Sequence, residues 1–236
     1  MFEYAGAAGR TRVQRYFGAL KEYPSGVLLA VQLLGILVFP FTEDGGGGRT
    51  IISIFGLFVL GIAVLAVNRT PSTRIIAYSI GAPVVLLTVA EAFYSDIQWL
   101  EFVSDAAHAI FYFYTAISLL RYMFADAWVS KDELMATGAT FTVLVWAYAY
   151  TYGAVQVWLP DSFTVSGEVR PLSWFELLFL STTTLTGTGL SDIAPNTAPG
   201  SNFARSIVML QMLTGMNYIA LVIARLLGLT LVKFRR

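Results

Sequence analysis

Residues Thr182 to Asp192 read TTTLTGTGLSD, which gathers five threonines, two glycines, a serine and an aspartate into one short stretch of an otherwise apolar chain. Hydroxyls and glycine-freed carbonyls at that density can replace the hydration shell of a cation, which is the chemistry of a cation filter. A second polar constellation is Glu101, Asp105 and His108, spaced i, i+4 and i+7 and so on one helical face. Carboxylates beside an imidazole can share a proton or a divalent cation, the reading of a sensor; the alternative is a helix end facing headgroups and water. Glu91 lies deep in an apolar run, where an ionisable side chain is costly and is either functional or a buried, hydrogen-bonded carboxyl. One histidine and no cysteine exclude a multi-histidine or thiolate metal centre within one chain, and no metal or cofactor is expected. No nucleotide-binding, nucleophile-elbow or metalloprotease motif occurs, so no catalytic residue is assigned and the chain reads as a non-enzyme.

The elements that would hold these groups belong to a membrane. The 236 residues are 56% hydrophobic and only 13% charged, far from the usage of a soluble domain. Five runs suit a bilayer core that needs about 20 apolar residues per helix: 25–41, 50–67, 74–94, 99–124 and 134–158. A sixth, 202–232, follows the threonine-rich stretch. Between the last two lies 173–185, too short to span, which is expected to be a re-entrant half-helix. Twelve of the fifteen Lys and Arg residues fall in the N-terminal segment, the second and fourth connections and the tail. That bias predicts a multi-pass protein of the cell membrane with both termini cytoplasmic and the half-helix entering from outside. The basic, amphipathic segment 1–24 reads as a retained cytoplasmic region, an interfacial helix. Zero net charge argues against nucleic acid as a partner and leaves membrane lipids.

Ser173 and Glu176 have the spacing of a capping box, with Pro171 ahead of them, so a helix starting there is well specified. Its carbonyl end, the negative end of the dipole, would then point inward at the start of Thr186–Asp192, where it attracts a cation. The fourth run carries no arginine before Arg121, so steep voltage gating is not expected. Gln211 and Asn217 in the sixth run are candidates to face a pore and Gly215 to bend its helix, against the plainer reading of helix packing by small and polar residues. Trp146, Tyr148, Tyr150 and Tyr152 read as an interfacial belt and packing surface.

TTTLTGTGLSDIAPNTAPG resembles the filter region TTLTTVGYGDIxPxTxxG of tetrameric potassium channels, and FARSIVML from Phe203 resembles the start of their inner helix. YIALVIARLLGL at 218–229 is similar to the inner-helix end of bacterial six-helix members of that family. The specific resemblance covers about the last quarter of the chain. It implies that Thr183 and Thr184 end a pore helix, that Thr186 precedes the filter, and that Gly187, Thr188, Gly189, Leu190 and Ser191 stand where the family has TVGYG. Asp192 then matches the aspartate behind the filter, and Pro195 and Thr197 the outer turn. Gly187 cannot supply the hydroxyls of the family's threonine, Leu190 lacks the tyrosine's hydroxyl, and Ser191 stands where glycine adopts positive φ.

The expected fold is therefore an all-α integral membrane protein of six transmembrane helices, with a re-entrant pore helix and filter loop between the fifth and sixth, assembled as a homotetramer. Residues 25–130 form a four-helix peripheral domain and 131–236 the pore domain. The function implied is passive conduction of monovalent cations, potassium foremost, with K+ or Na+ ions in the filter. Alternatives are a non-selective or sodium-passing channel and a non-conducting receptor or scaffold.

Overall fold

The computed structural model describes residues 23–41, 56, 58–59, 61–63, 71–94, 97–125, 130–189 and 192–234, with the backbone alone at 71–74, 92 and 228–234. Segment 1–22 therefore lies outside the described residues. In the second apolar run Gly56, Phe58, Val59, Gly61, Ile62 and Ala63 are helical, and the rest of that run is likewise outside.

The chain is built from α1 (Pro24–Val38), α2 (Pro71–Phe93), α3 (Gln98–Met123), α4 (Lys131–Trp158), α5 (Trp174–Thr186) and α6 (Asn202–Phe234). Proline opens α1, where its missing N–H costs nothing. Ser130 opens α4 by accepting the Glu133 N–H at 3.1 Å, and Asp132 and Glu133 in that first turn suit the helix dipole. α4 is the centre of the packing: α3, α1 and α5 lie against it, and α6 closes on α5 and α4.

Among the described residues, three helical segments are long and apolar enough to cross a membrane: Pro24–Phe41, Gln98–Met123 and Pro199–Leu227. α2 has a shorter apolar stretch, Ile75–Glu91. α4 has the length but carries many Thr and Tyr hydroxyls, and other helices rather than lipid cover most of its surface. Its aromatics are core rather than belt: Trp146 and Tyr152 are fully buried and Tyr148 nearly so. Phe39, Tyr112 and Trp174 all ring Trp146 with centroids 5.7 to 6.2 Å away. The belt expectation fails because each of these rings has protein on its outer side.

A small antiparallel sheet was not anticipated. Strands β1 (Phe163–Val165), β2 (Glu168–Val169) and β3 (Ile193–Pro195) pair in the order β2-β1-β3. β1 and β3 align Phe163 with Pro195 and Val165 with Ile193, and the Ser166 N–H extends the ladder to the Asp192 carbonyl at 2.8 Å. Residues 166–192, which include α5, thus leave and return at one place.

At the opposite end of α4, Asp132 accepts the Ser25 N–H and hydroxyl, each at 3.0 Å, and the Tyr122 hydroxyl at 3.2 Å. Glu133 pairs with Arg225 at 3.4 Å, whose guanidinium lies 5.1 Å from the Phe124 ring centroid. These contacts join α1, α3, α4 and α6.

Candidate functional site

α5 is short, about 20 Å at 1.5 Å per residue, against a hydrocarbon core of about 30 Å. Both halves of its expected capping box form: the Ser173 hydroxyl accepts the Glu176 N–H at 3.3 Å, and Glu176 Oε2 accepts the Ser173 N–H at 2.8 Å. Arg170 forks onto the same carboxylate, donating Nη1–H to Oε2 at 2.9 Å and Nη2–H to Oε1. The Gln156 amide clamps the preceding backbone, accepting the Leu172 N–H at 2.9 Å and donating to its carbonyl at 3.2 Å. Four side chains, Ser173, Glu176, Arg170 and Gln156, thus fix where α5 begins.

Its middle is held by buried polar contacts. The Ser181 hydroxyl donates to the Val145 carbonyl of α4 at 2.7 Å. Gln211 of α6 donates to the Ser181 carbonyl at 2.9 Å and to its hydroxyl at 2.7 Å, and its own carbonyl oxygen accepts from Tyr152. Fully buried, Gln211 therefore positions α5 between α4 and α6. Four residues along, Gly215 is where α6 meets the Leu185 carbonyl so closely that any Cβ would overlap it. α6 runs helical through this position. Asn217 is exposed and donates to the Leu213 carbonyl at 2.8 Å.

The end of α5 is where the threonine-rich stretch acquires its geometry. Gly187 caps the helix in the left-handed region, at φ +71°, donating its N–H to the Thr184 carbonyl at 3.1 Å. Gly189 repeats that conformation at φ +62°, and its N–H reaches the Thr183 carbonyl at 3.3 Å. No atom lies within 4 Å of a Cβ built on either glycine, so backbone conformation rather than space requires them. The Thr186 hydroxyl turns back to the Thr182 carbonyl at 2.8 Å and lies 3.1 Å from the Thr188 hydroxyl. Thr183 and Thr184 are buried, whereas residues 186–189 and Asp192 are exposed. Leu190 and Ser191 lie outside the described residues. The result is a short hydroxyl- and carbonyl-bearing loop at the negative end of a helix dipole, an arrangement that favours a cation.

Residues 137–230 match the family model described as an ion channel. The matched segment runs from early α4 to near the end of α6 and contains α5, its loop and the sheet. The match supports a membrane-embedded cation channel in general terms. No curated protein and no solved structure matches the chain.

Outside the matched segment, the expected face of Glu101, Asp105 and His108 is drawn in among helices. His108 is buried, with Nδ1 2.8 Å from the Ser104 carbonyl and Nε2 3.2 Å from the Thr88 hydroxyl of α2. Asp105 lies in electrostatic reach of Glu101 and of Glu91 from α2. The fully buried Tyr152, partner to Gln211, was missed as a functional residue; a hydroxyl inside a buried helix opposite a glutamine was the available signal.

Proposed function

We propose that four copies of this chain form a pore-loop channel for monovalent cations, each contributing Thr186–Asp192 to a filter on a common axis. The observation that carries the reading is a 13-residue helix, capped at one end by Ser173 and Glu176 and at the other by Gly187, whose flanking segments return to one sheet. That is the shape of a re-entrant pore helix set between an outer helix, α4, and an inner helix, α6. Six spans, with both termini cytoplasmic, complete the topology, and lipid surrounds the peripheral helices. The inner helix supports assembly: Met209, Leu213 and Met216 present apolar side chains that are at least half exposed. With no arginine row in α3, gating does not depend steeply on voltage.

Potassium is the foremost permeant ion, with selectivity below that of a TVGYG filter. Gly187, left-handed and without a hydroxyl where the family has threonine, favours this weakened selectivity, because the innermost filter position loses side-chain oxygens. Flux in proteoliposomes under opposed K+ and Na+ gradients tests it, with the paired Gly187→Thr and Ser191→Gly variant alongside. The pair is expected to raise potassium preference. An unchanged reversal potential refutes the positional correspondence, and absence of flux in every variant leaves the non-conducting scaffold. A monomeric or dimeric particle in detergent and in nanodiscs excludes the pore altogether.

A further inference from the structure

We propose that His108, Asp105, Glu101 and Glu91 form a proton-binding site between α2, α3 and α4, mechanically linked through Tyr150 to Trp174 at the start of α5. This goes beyond the conduction reading and does not depend on it.

The hydrogen bonds around His108 define two states that differ by one proton. The Ser104 carbonyl can only accept, so Nδ1 carries a hydrogen. The Thr88 hydroxyl lies 2.9 Å from the Val84 carbonyl and 3.2 Å from His108 Nε2, and its single proton serves one of them. With the imidazole neutral, the hydroxyl donates to Nε2 and abandons Val84. With a proton taken up from water on Nε2, that N–H donates to the Thr88 oxygen and the hydroxyl donates to Val84, completing the chain. Glu91 from α2 and Asp105 and Glu101 from α3 are the acidic groups on the packed elements, and Tyr112 and Tyr150 are the phenols among them. The Tyr150 ring lies flat on the imidazole, 4.4 Å between centroids and 12° between planes, an arrangement that attracts an imidazolium.

A cleft of about 220 Å³ lined by Gln98, Glu101, Gln156 and Arg170 opens at the Glu101 end of α3. Glu101 thus belongs to both the cleft and the cluster. A proton fits better than a divalent cation, because no three His, Cys, Asp or Glu among the described residues are placed to hold a metal. The link to α5 is direct. Tyr150 stacks on His108 and sits 4.3 Å from the Trp174 ring, whose buried Nε1 has no hydrogen-bond partner to anchor it. The Asp105 carboxylate rests on Gly153 of α4, where a Cβ would overlap it.

His108 is the sole histidine, so tag-free protein in lipid vesicles, labelled with 15N-histidine and 5-fluorotryptophan, reports both ends of the link without any flux measurement. As the pH is lowered from about 8 the ring signals should move from neutral toward imidazolium. The Trp174 fluorine signal, assigned with Trp174→Phe, should move in step. Asp105→Asn and Gly153→Ala, which alter the group that rests between α3 and α4, should each shift the midpoint of the ring titration. Tyr150→Phe should preserve the coupling, and Tyr150→Leu should leave the ring titrating while Trp174 stays still. A ring fixed in one protonation state, a titration untouched by Asp105→Asn, or a wild-type Trp174 signal that ignores pH each overturns the proposal.

Discussion

Glu176 has two partners on one carboxylate. The Arg170 hydrogen bond holds its carboxyl below the ordinary carboxylate range; partial burial pulls the other way, and the Ser173 N–H adds to the lowering. A carboxyl lowered on folding stabilises the native state above its unfolded value, and that contribution disappears as pH falls through the lower folded value. Thermal unfolding below about pH 4.5 should therefore show an acid limb that Glu176→Gln reduces; identical limbs would remove Glu176 from the account. Ser173→Ala, which loses the other half of the box, should cost about 1 kcal/mol in the same assay. At Gly187 there is room for a side chain but a left-handed backbone. Asparagine visits that region readily, whereas threonine pays a steric penalty of about 1–2 kcal/mol. Chemical denaturation should rank glycine above Gly187→Asn and that above Gly187→Thr.

Between elements, two glycines separate a rigid contact from a yielding one. A Cβ at Gly215 would meet the Leu185 backbone carbonyl, so Gly215→Ala must push α6 off α5 and should cost about 1–3 kcal/mol. At Gly138 the added Cβ would meet Leu29 Cδ2 at 2.8 Å, the end of a flexible side chain, so Gly138→Ala should be far milder. Comparable melting shifts would contradict this assignment. Gln211→Leu should cost about 1–3 kcal/mol by leaving Ser181 and Tyr152 short of partners, measurable against Asn217→Leu on the exposed side of the same helix. Much at this scale was legible. The short run at 173–185 became α5 within one residue at each end, because Ser173 and Glu176 carry the start signal in their side chains. The sheet was not legible, since strands of two or three residues are too short to show alternation. Nor were the roles of Tyr150 and Tyr152, because hydropathy cannot distinguish an aromatic facing lipid from one facing another helix.

For the molecule as a whole, the Glu133–Arg225 pair ties the start of α4 to the far end of α6, with side chains only 7% and 13% exposed. Removing one partner strands a charge away from water. Arg225→Leu should cost about 3 kcal/mol, and adding Glu133→Gln should recover part of it; strictly additive losses in that double-mutant cycle would mean the pair is not coupled. The pairing of β1 with β3 has a different consequence, for how the chain tolerates changes of length. Residues 166–192 form a loop with its ends pinned, and lengthening such a loop costs little closure entropy, about 0.6 kcal/mol even for a doubling. Sliding the register by one residue would instead turn Phe163 and Ile193 out of the core. An inserted residue is therefore not absorbed at the sheet but carried to the loop tip, so the sheet acts as a depth gauge: the number of residues between its strands sets how far Gly187 stands from it.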